Sequence, residues 1–110
     1  MNIKTTESGD VSILEVQGHL DTNTSPEAES SINALIDAGA TKLLINFAAV
    51  EYISSAGLRV LLATAKKLKG AGGDLRICNL NATVQEVFDI SGFSSILTVS
   101  SNQEEALASF

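Results

Sequence analysis

Lys42-Leu43-Leu44-Ile45-Asn46-Phe47 is the stretch that decides the fold. Its apolar residues run together without alternation, the signature of a strand covered on both faces or lying centrally in a parallel sheet. Upstream, residues 2–7 and 11–17 read as two short strands joined by Ser8-Gly9-Asp10, whose residue types suit a tight turn. Gly18-His19-Leu20-Asp21 then leads into a helix that Thr24 can cap, with Pro26 in its first turn and Glu27 three residues beyond Thr24. Ala28, Ile32, Leu35 and Ile36 recur at helical spacing until Gly39 stops the pattern.

Downstream, residues 48–55 are expected to leave the carboxyl end of the central strand, where functional loops of parallel sheets gather. A second helix starts at Ser54 or Ser55 and runs to residue 69, stopped by Gly70-Ala71-Gly72-Gly73, with Lys66, Lys67 and Lys69 placed favourably for its dipole. Residues 75–78 form a further strand, and Asn81 caps a helix carrying Val84, Val87 and Phe88 that Gly92 closes. A strand follows at residues 96–99. The last helix opens on a capping-box pair, Ser101 and Glu104, and buries Ala106, Leu107 and Phe110. The order ββαβαβαβα predicts an α/β fold in which about five strands form a mixed, mostly parallel sheet with four helices.

The 110 residues fit one compact domain, residues 1–110, with no visible repeat or linker. With 45% hydrophobic and 18% charged residues and a single Pro, a packed core is expected and disorder is not. The mean hydropathy is +0.22, yet the longest apolar stretches, residues 43–50 and 60–65, fall far short of a membrane span of about 20 residues. The first residues lack a signal-peptide pattern, so a cytoplasmic location is expected. A net charge of −6 repels phosphate backbones and anionic lipid heads, which weighs against direct nucleic-acid and membrane binding and leaves a protein partner. One Cys and one His cannot build a closed zinc site, so no metal is expected.

Enzyme signatures are missing. Gly70-Ala71-Gly72-Gly73 follows a helix rather than preceding one and lacks the Lys-Ser/Thr of a phosphate loop. Cys78 lies in an apolar strand, where a small core residue is the default, and His19 reads as a turn residue. No carboxylate pair is fixed by local spacing for acid/base work, so catalysis and a cofactor are not expected.

The informative segment is Tyr52-Ile53-Ser54-Ser55-Ala56-Gly57-Leu58-Arg59-Val60-Leu61-Leu62. One serine is explained as an N-cap, worth about 1 kcal/mol. Gly57 is not, because Gly early in a helix costs roughly 0.5 to 1 kcal/mol relative to Ala; it implies close approach by something or close packing on the sheet. Projected as a helix, Leu58, Leu61, Leu62, Ala65 and Leu68 form the core face. Ala56, Val60 and Ala63 make an apolar strip on the other side, flanked by Arg59, Lys66 and Lys67 and starting beside Ser55, which reads as a docking surface.

These features together resemble the STAS-domain anti-sigma factor antagonists, or anti-anti-sigma factors. The resemblance rests on Gly18-His19-Leu20-Asp21, residues 53–58, Gly72-Gly73 before a strand, and Val87-Phe88-Asp89-Ile90-Ser91-Gly92, in order along nearly the whole chain. The family's acceptor segment resembles Asp-Ser-Ser/Ala/Thr-Gly-Leu-Gly, with the Ser after Asp phosphorylated by a partner kinase. Laid on this chain, Ser55 takes the acceptor place with Ser54 as the alternative, Ser54 stands where the Asp is usual, and Arg59 replaces the last Gly. The resemblance implies partner switching: the unphosphorylated protein binds an anti-sigma factor that is also a serine kinase, phosphorylation ends the complex, and a serine phosphatase resets it. Together with the docking strip, the expected partner-binding set is Asp21, Ser54, Ala56, Gly57, Arg59, Val60 and Ala63, on a monomer. Asp21 is expected to contact the partner or its magnesium-nucleotide site, or else to be a turn residue bonding its own backbone. The alternative function is a STAS interaction or scaffold module in a signalling or transport assembly, without serine phosphorylation.

Overall fold

The computed structural model describes residues 2–110. Ten elements follow in order: β1 (Asn2–Ser8), β2 (Val11–Leu20), α1 (Ser25–Asp37), β3 (Lys42–Ile53), α2 (Ser55–Gly70), β4 (Asp74–Cys78), α3 (Ala82–Ser91), a 3-10 turn (Phe93–Ser95), β5 (Thr98–Ser100) and α4 (Gln103–Ala108). The five strands lie side by side in chain order; β1 and β2 pair antiparallel and all later neighbours are parallel. β3 is therefore the middle strand, as its unalternating run predicts.

Both faces of β3 are covered. Leu43, Ile45 and Phe47 join the main core with Leu14 and Val16 of β2, Ile32 of α1, Leu58, Leu61 and Leu68 of α2, and Val84 and Phe88 of α3. Leu44 points the other way, into a smaller cluster with Val11, Ile13, Cys78 and Ala106 of α4. Three helices thus pack on one face and α4 alone on the other. Among the described residues no helix is long and apolar enough to cross a membrane.

The largest departure from the sequence reading is at the end of β3. Residues 48–53, expected as a loop, continue the strand and pair with β2 as far as Leu20 opposite Ile53. Their buried positions, Phe47, Val50 and Ile53, are three apart, because the register slips between Glu15 and Gln17 and again between Gly18 and His19. That spacing hides the strand from any period-two pattern. Asn46 marks the first slip, its Oδ1 accepting the Ala48 N–H at 2.9 Å.

Other differences are local. The Thr24 side chain does not cap α1; its hydroxyl donates to the His19 carbonyl at 2.7 Å and accepts the Asp21 N–H at 2.9 Å, tying the preceding loop instead. The cap of α4 is Asn102 rather than Ser101: its side chain accepts the Glu105 N–H at 2.9 Å, while Glu105 accepts the Ser101 N–H at 3.3 Å. The 3-10 turn after Gly92 delays the last strand to Thr98–Ser100, leaving Ile96 exposed and Leu97 buried.

Candidate functional site

The parallel strands β2 and β3 end together, and their ends bring residues 18–24 beside the start of α2. The junction is direct: the Ser54 N–H donates to the Leu20 carbonyl at 2.9 Å. Asp21 is the next residue after Leu20, whose carbonyl holds the serine turn.

Ser54 is the N-cap of α2, extended at φ −96° and ψ 174°, and its hydroxyl accepts the Gly57 N–H at 3.4 Å. Its carbonyl accepts the Leu58 N–H, the first bond of the helix. Ser55 is the first helical residue and is exposed, while Ser54 is half-buried. The two hydroxyls are thereby divided: one is committed to the backbone, and the other faces solvent.

Asp21 organises its own loop. Its Oδ1 accepts the Asn23 N–H at 2.9 Å and the Thr24 N–H at 3.2 Å, and shares at 3.3 Å the Thr24 hydroxyl proton whose shorter bond is to the His19 carbonyl. Burial pushes the carboxyl up, but these three donors and the nearby His19 outweigh it and hold Asp21 below the usual carboxylate value. The turn-residue reading accounts for Oδ1, and no described group donates to Oδ2.

Gly57 is buried, which removes it from any surface that a partner could touch directly. A Cβ there would meet Ile53 Cγ1 and the Leu20 carbonyl oxygen at 2.8 Å each and Leu20 Cγ at 2.9 Å, so the residue is glycine because α2 seats on the strand ends.

The apolar strip also needs correction. Val60 is only 7% exposed and belongs to the main core, whereas Leu62, assigned to the core face, is half-buried. The cause is tertiary: α1 lies alongside α2 on the same sheet face and covers the side that a lone helix would expose. Ala56, Arg59, Val60 and Ala63 consequently form one wall of a groove of about 440 Å³ whose other wall is Thr22, Ser25, Pro26 and Glu29. Arg59 and Glu29 put opposite charges on the two walls. The sequence reading missed this opposite wall, in which Ser25, Pro26 and Glu29 of α1 carry helical spacing and Thr22 comes from the turn before the helix.

A second cluster, also missed, adjoins the loop. His19 Nε2 lies 3.1 Å from Glu51 Oε2, and its ring meets Tyr52 edge-on at 6.3 Å. Tyr52 is 44% exposed. β-Pairing of His19 with Tyr52 sets this contact, and the disguised end of β3 concealed it. Among the described residues no three His, Cys, Asp or Glu side chains converge as metal ligands. Cys78 is fully buried, and burial pushes its thiol up to about 11.

Comparison with known proteins agrees with this architecture. A family model described as the STAS domain matches residues 2–106. BtrV of Bordetella bronchiseptica, provisionally named an anti-sigma factor antagonist, is 40% identical over 95 residues, spanning 86% of this chain and 82% of that protein. The anti-sigma-B factor antagonist of Staphylococcus epidermidis is 30% identical over 104 residues, spanning 94% of this chain and 96% of that one. The crystal structure of an anti-sigma factor antagonist from Mycobacterium paratuberculosis matches with a TM-score of 0.90 at 25% identity, covering 98% of this chain and 92% of its own. On the family match and the curated relatives, the chain belongs to the STAS-domain family of anti-sigma factor antagonists, regulatory binding proteins rather than enzymes.

Proposed function

We propose that this protein is a cytoplasmic, monomeric partner switch: unphosphorylated, it binds an anti-sigma factor that is also a serine kinase, and phosphorylation of Ser55 by that kinase ends the complex. A serine phosphatase restores the binding form. The observation that carries the reading is the division between the serines, with Ser54 capping α2 and Ser55 exposed at its first position. The docking face is the groove wall of Ala56, Arg59, Ala63 and the uncovered part of Val60, which follows Ser55 along α2, with the opposite wall of Thr22, Ser25, Pro26 and Glu29 and with Asp21 from the adjoining loop.

The physics favours a switch that leaves the fold intact. A phosphoserine carries about −1.5 to −2 charges and three acceptor oxygens. At the start of α2 it meets the helix dipole, and Arg59 stands four residues on, on the same helix face. In a desolvated interface, an unpaired charge costs roughly 3 to 5 kcal/mol. At about 1.4 kcal/mol per tenfold, affinity falls by a factor of more than about a hundred.

Incubation with candidate sibling kinases and ATP, followed by mass spectrometry, tests the reaction, and no phosphate on Ser54 or Ser55 with any of them would sink it. Ser55→Asp should abolish kinase binding with an unchanged circular-dichroism spectrum, while Ser55→Ala binds constitutively. One observation favours a scaffold reading without phosphorylation: Ser54 supplies no carboxylate beside the acceptor. Recovery of a transporter or scaffold assembly in pull-downs, with no kinase, would decide for it.

A further inference from the structure

The second face of the sheet is covered by one short element. Ala106 of α4 is fully buried over Val11, Ile13, Leu44 and Cys78, with Leu107 and Phe110 half-buried at its margin. α4 has six residues, and isolated helices shorter than about 12 to 15 residues do not persist in water, so it is helical only while seated. The first face, by contrast, interlocks three helices through Ile32, Leu58, Leu61, Leu68, Val84 and Phe88.

Two polar tethers hold the short helix. At its start, Gln103 Oε1 accepts from Asn46 Nδ2 at 3.0 Å. After its end, the Ser109 carbonyl accepts from Arg76 Nη2 at 3.0 Å, and the Phe110 ring lies 5.2 Å from the Arg76 guanidinium carbon. Arg76 also pairs with Asp74 at 2.6 Å and donates to Thr98 at 2.9 Å. Its Nε is buried without a hydrogen-bond partner among the described residues, an unmatched donor beside the second tether.

We propose that α4 is a strap that opens as a unit while β1 to β5 and α1 to α3 stay folded, uncovering Cys78 and the apolar face of Val11, Ile13 and Leu44. Opening also releases the Asn46 Nδ2 from Gln103. The same side chain receives the Ala48 N–H at 2.9 Å and Asn79 Nδ2 at 3.2 Å at the slipped step of β3 that leads to Ser54. The strap and the approach to the serine segment therefore share one residue.

Cys78 is the only cysteine and reports the opening, since its buried thiol, pushed up to about 11, reacts only once exposed. The full chain is labelled with excess 5,5′-dithiobis(2-nitrobenzoic acid) across a urea series. Without denaturant, labelling should run at least about tenfold faster than the global unfolding equilibrium permits, with a shallower urea dependence. Arg76→Gln and Phe110→Ala should each accelerate it by about tenfold, or about 1.4 kcal/mol of opening free energy, beyond any change in global stability. The proposal is overturned if labelling follows global unfolding with its full urea slope. It is overturned equally if both variants accelerate labelling only as much as their global destabilisation requires.

Discussion

Gly57 lies so close to Leu20 that a Cβ on it would stand 2.8 Å from the Leu20 carbonyl oxygen. That carbonyl also accepts the Ser54 N–H at 2.9 Å. The turn carrying the two serines is thus seated on the end of β2 by a hydrogen bond and by a missing side chain together.

Gly57→Ala tests this seating. The obstructing atom is backbone and cannot step aside, and Ile53 Cγ1 closes the other direction at 2.8 Å. Overpacking should cost about 1 to 3 kcal/mol, exceeding a gain of up to about 1 kcal/mol from the better helix propensity of Ala. Urea unfolding reads the balance, and a variant as stable as wild type would mean that α2 slides freely on the strand ends.

Replacing each serine by Ala separates their roles. Ser54→Ala removes the cap acceptor of Gly57 and should cost about 0.5 to 1 kcal/mol, the lower part of the usual range because the bond is long at 3.4 Å. Ser55→Ala touches no cap and should stay within about 0.5 kcal/mol of wild type. Equal losses in paired urea titrations would contradict the division.

Asp21 predicts a stability change in acid. Burial raises its carboxyl, but the bonds from Asn23 and Thr24 and the neighbouring His19 prevail, so the folded value lies below the ordinary 3.8. A depressed carboxylate contributes stability that is complete above the ordinary value and is lost as pH falls through the folded one. Asp21→Asn keeps an acceptor but cannot titrate. The urea midpoints of wild type and variant should therefore converge as pH falls below the ordinary 3.8 and through the lower folded value. Parallel midpoints across that window would show that Asp21 is not held in its charged form.

Asn81 ties α3 to the end of β3. Its Oδ1 accepts the Val84 N–H at 2.7 Å, and its Nδ2 donates to the Val50 carbonyl at 3.0 Å and the Glu51 carbonyl at 3.3 Å. Asn81→Ala loses a cap worth about 1 kcal/mol together with contacts worth about 0.5 to 1.5 kcal/mol. Amide exchange should quicken at residues 50–53 more than in β4, and uniform quickening would place the loss elsewhere.

The sequence determined the α/β order, the central strand, both ends of α2 and the nomination of the Ser54-Ser55 turn. All of these rest on local signals: an unbroken apolar run, caps three residues from their partners, and a glycine where the backbone needs one. Only the tertiary structure decided the rest. The end of β3 was hidden because two slips against β2 changed its buried spacing from two to three. Val60 was misassigned because a helix projection cannot include α1, which packs beside α2 only after both crossovers place their helices on one sheet face. Gly57 could be read in sequence as making room for something, and the fold identifies that neighbour as Leu20 of β2. Chemistry carried within a turn is legible in its residues; which face remains open depends on contacts between segments far apart in the chain.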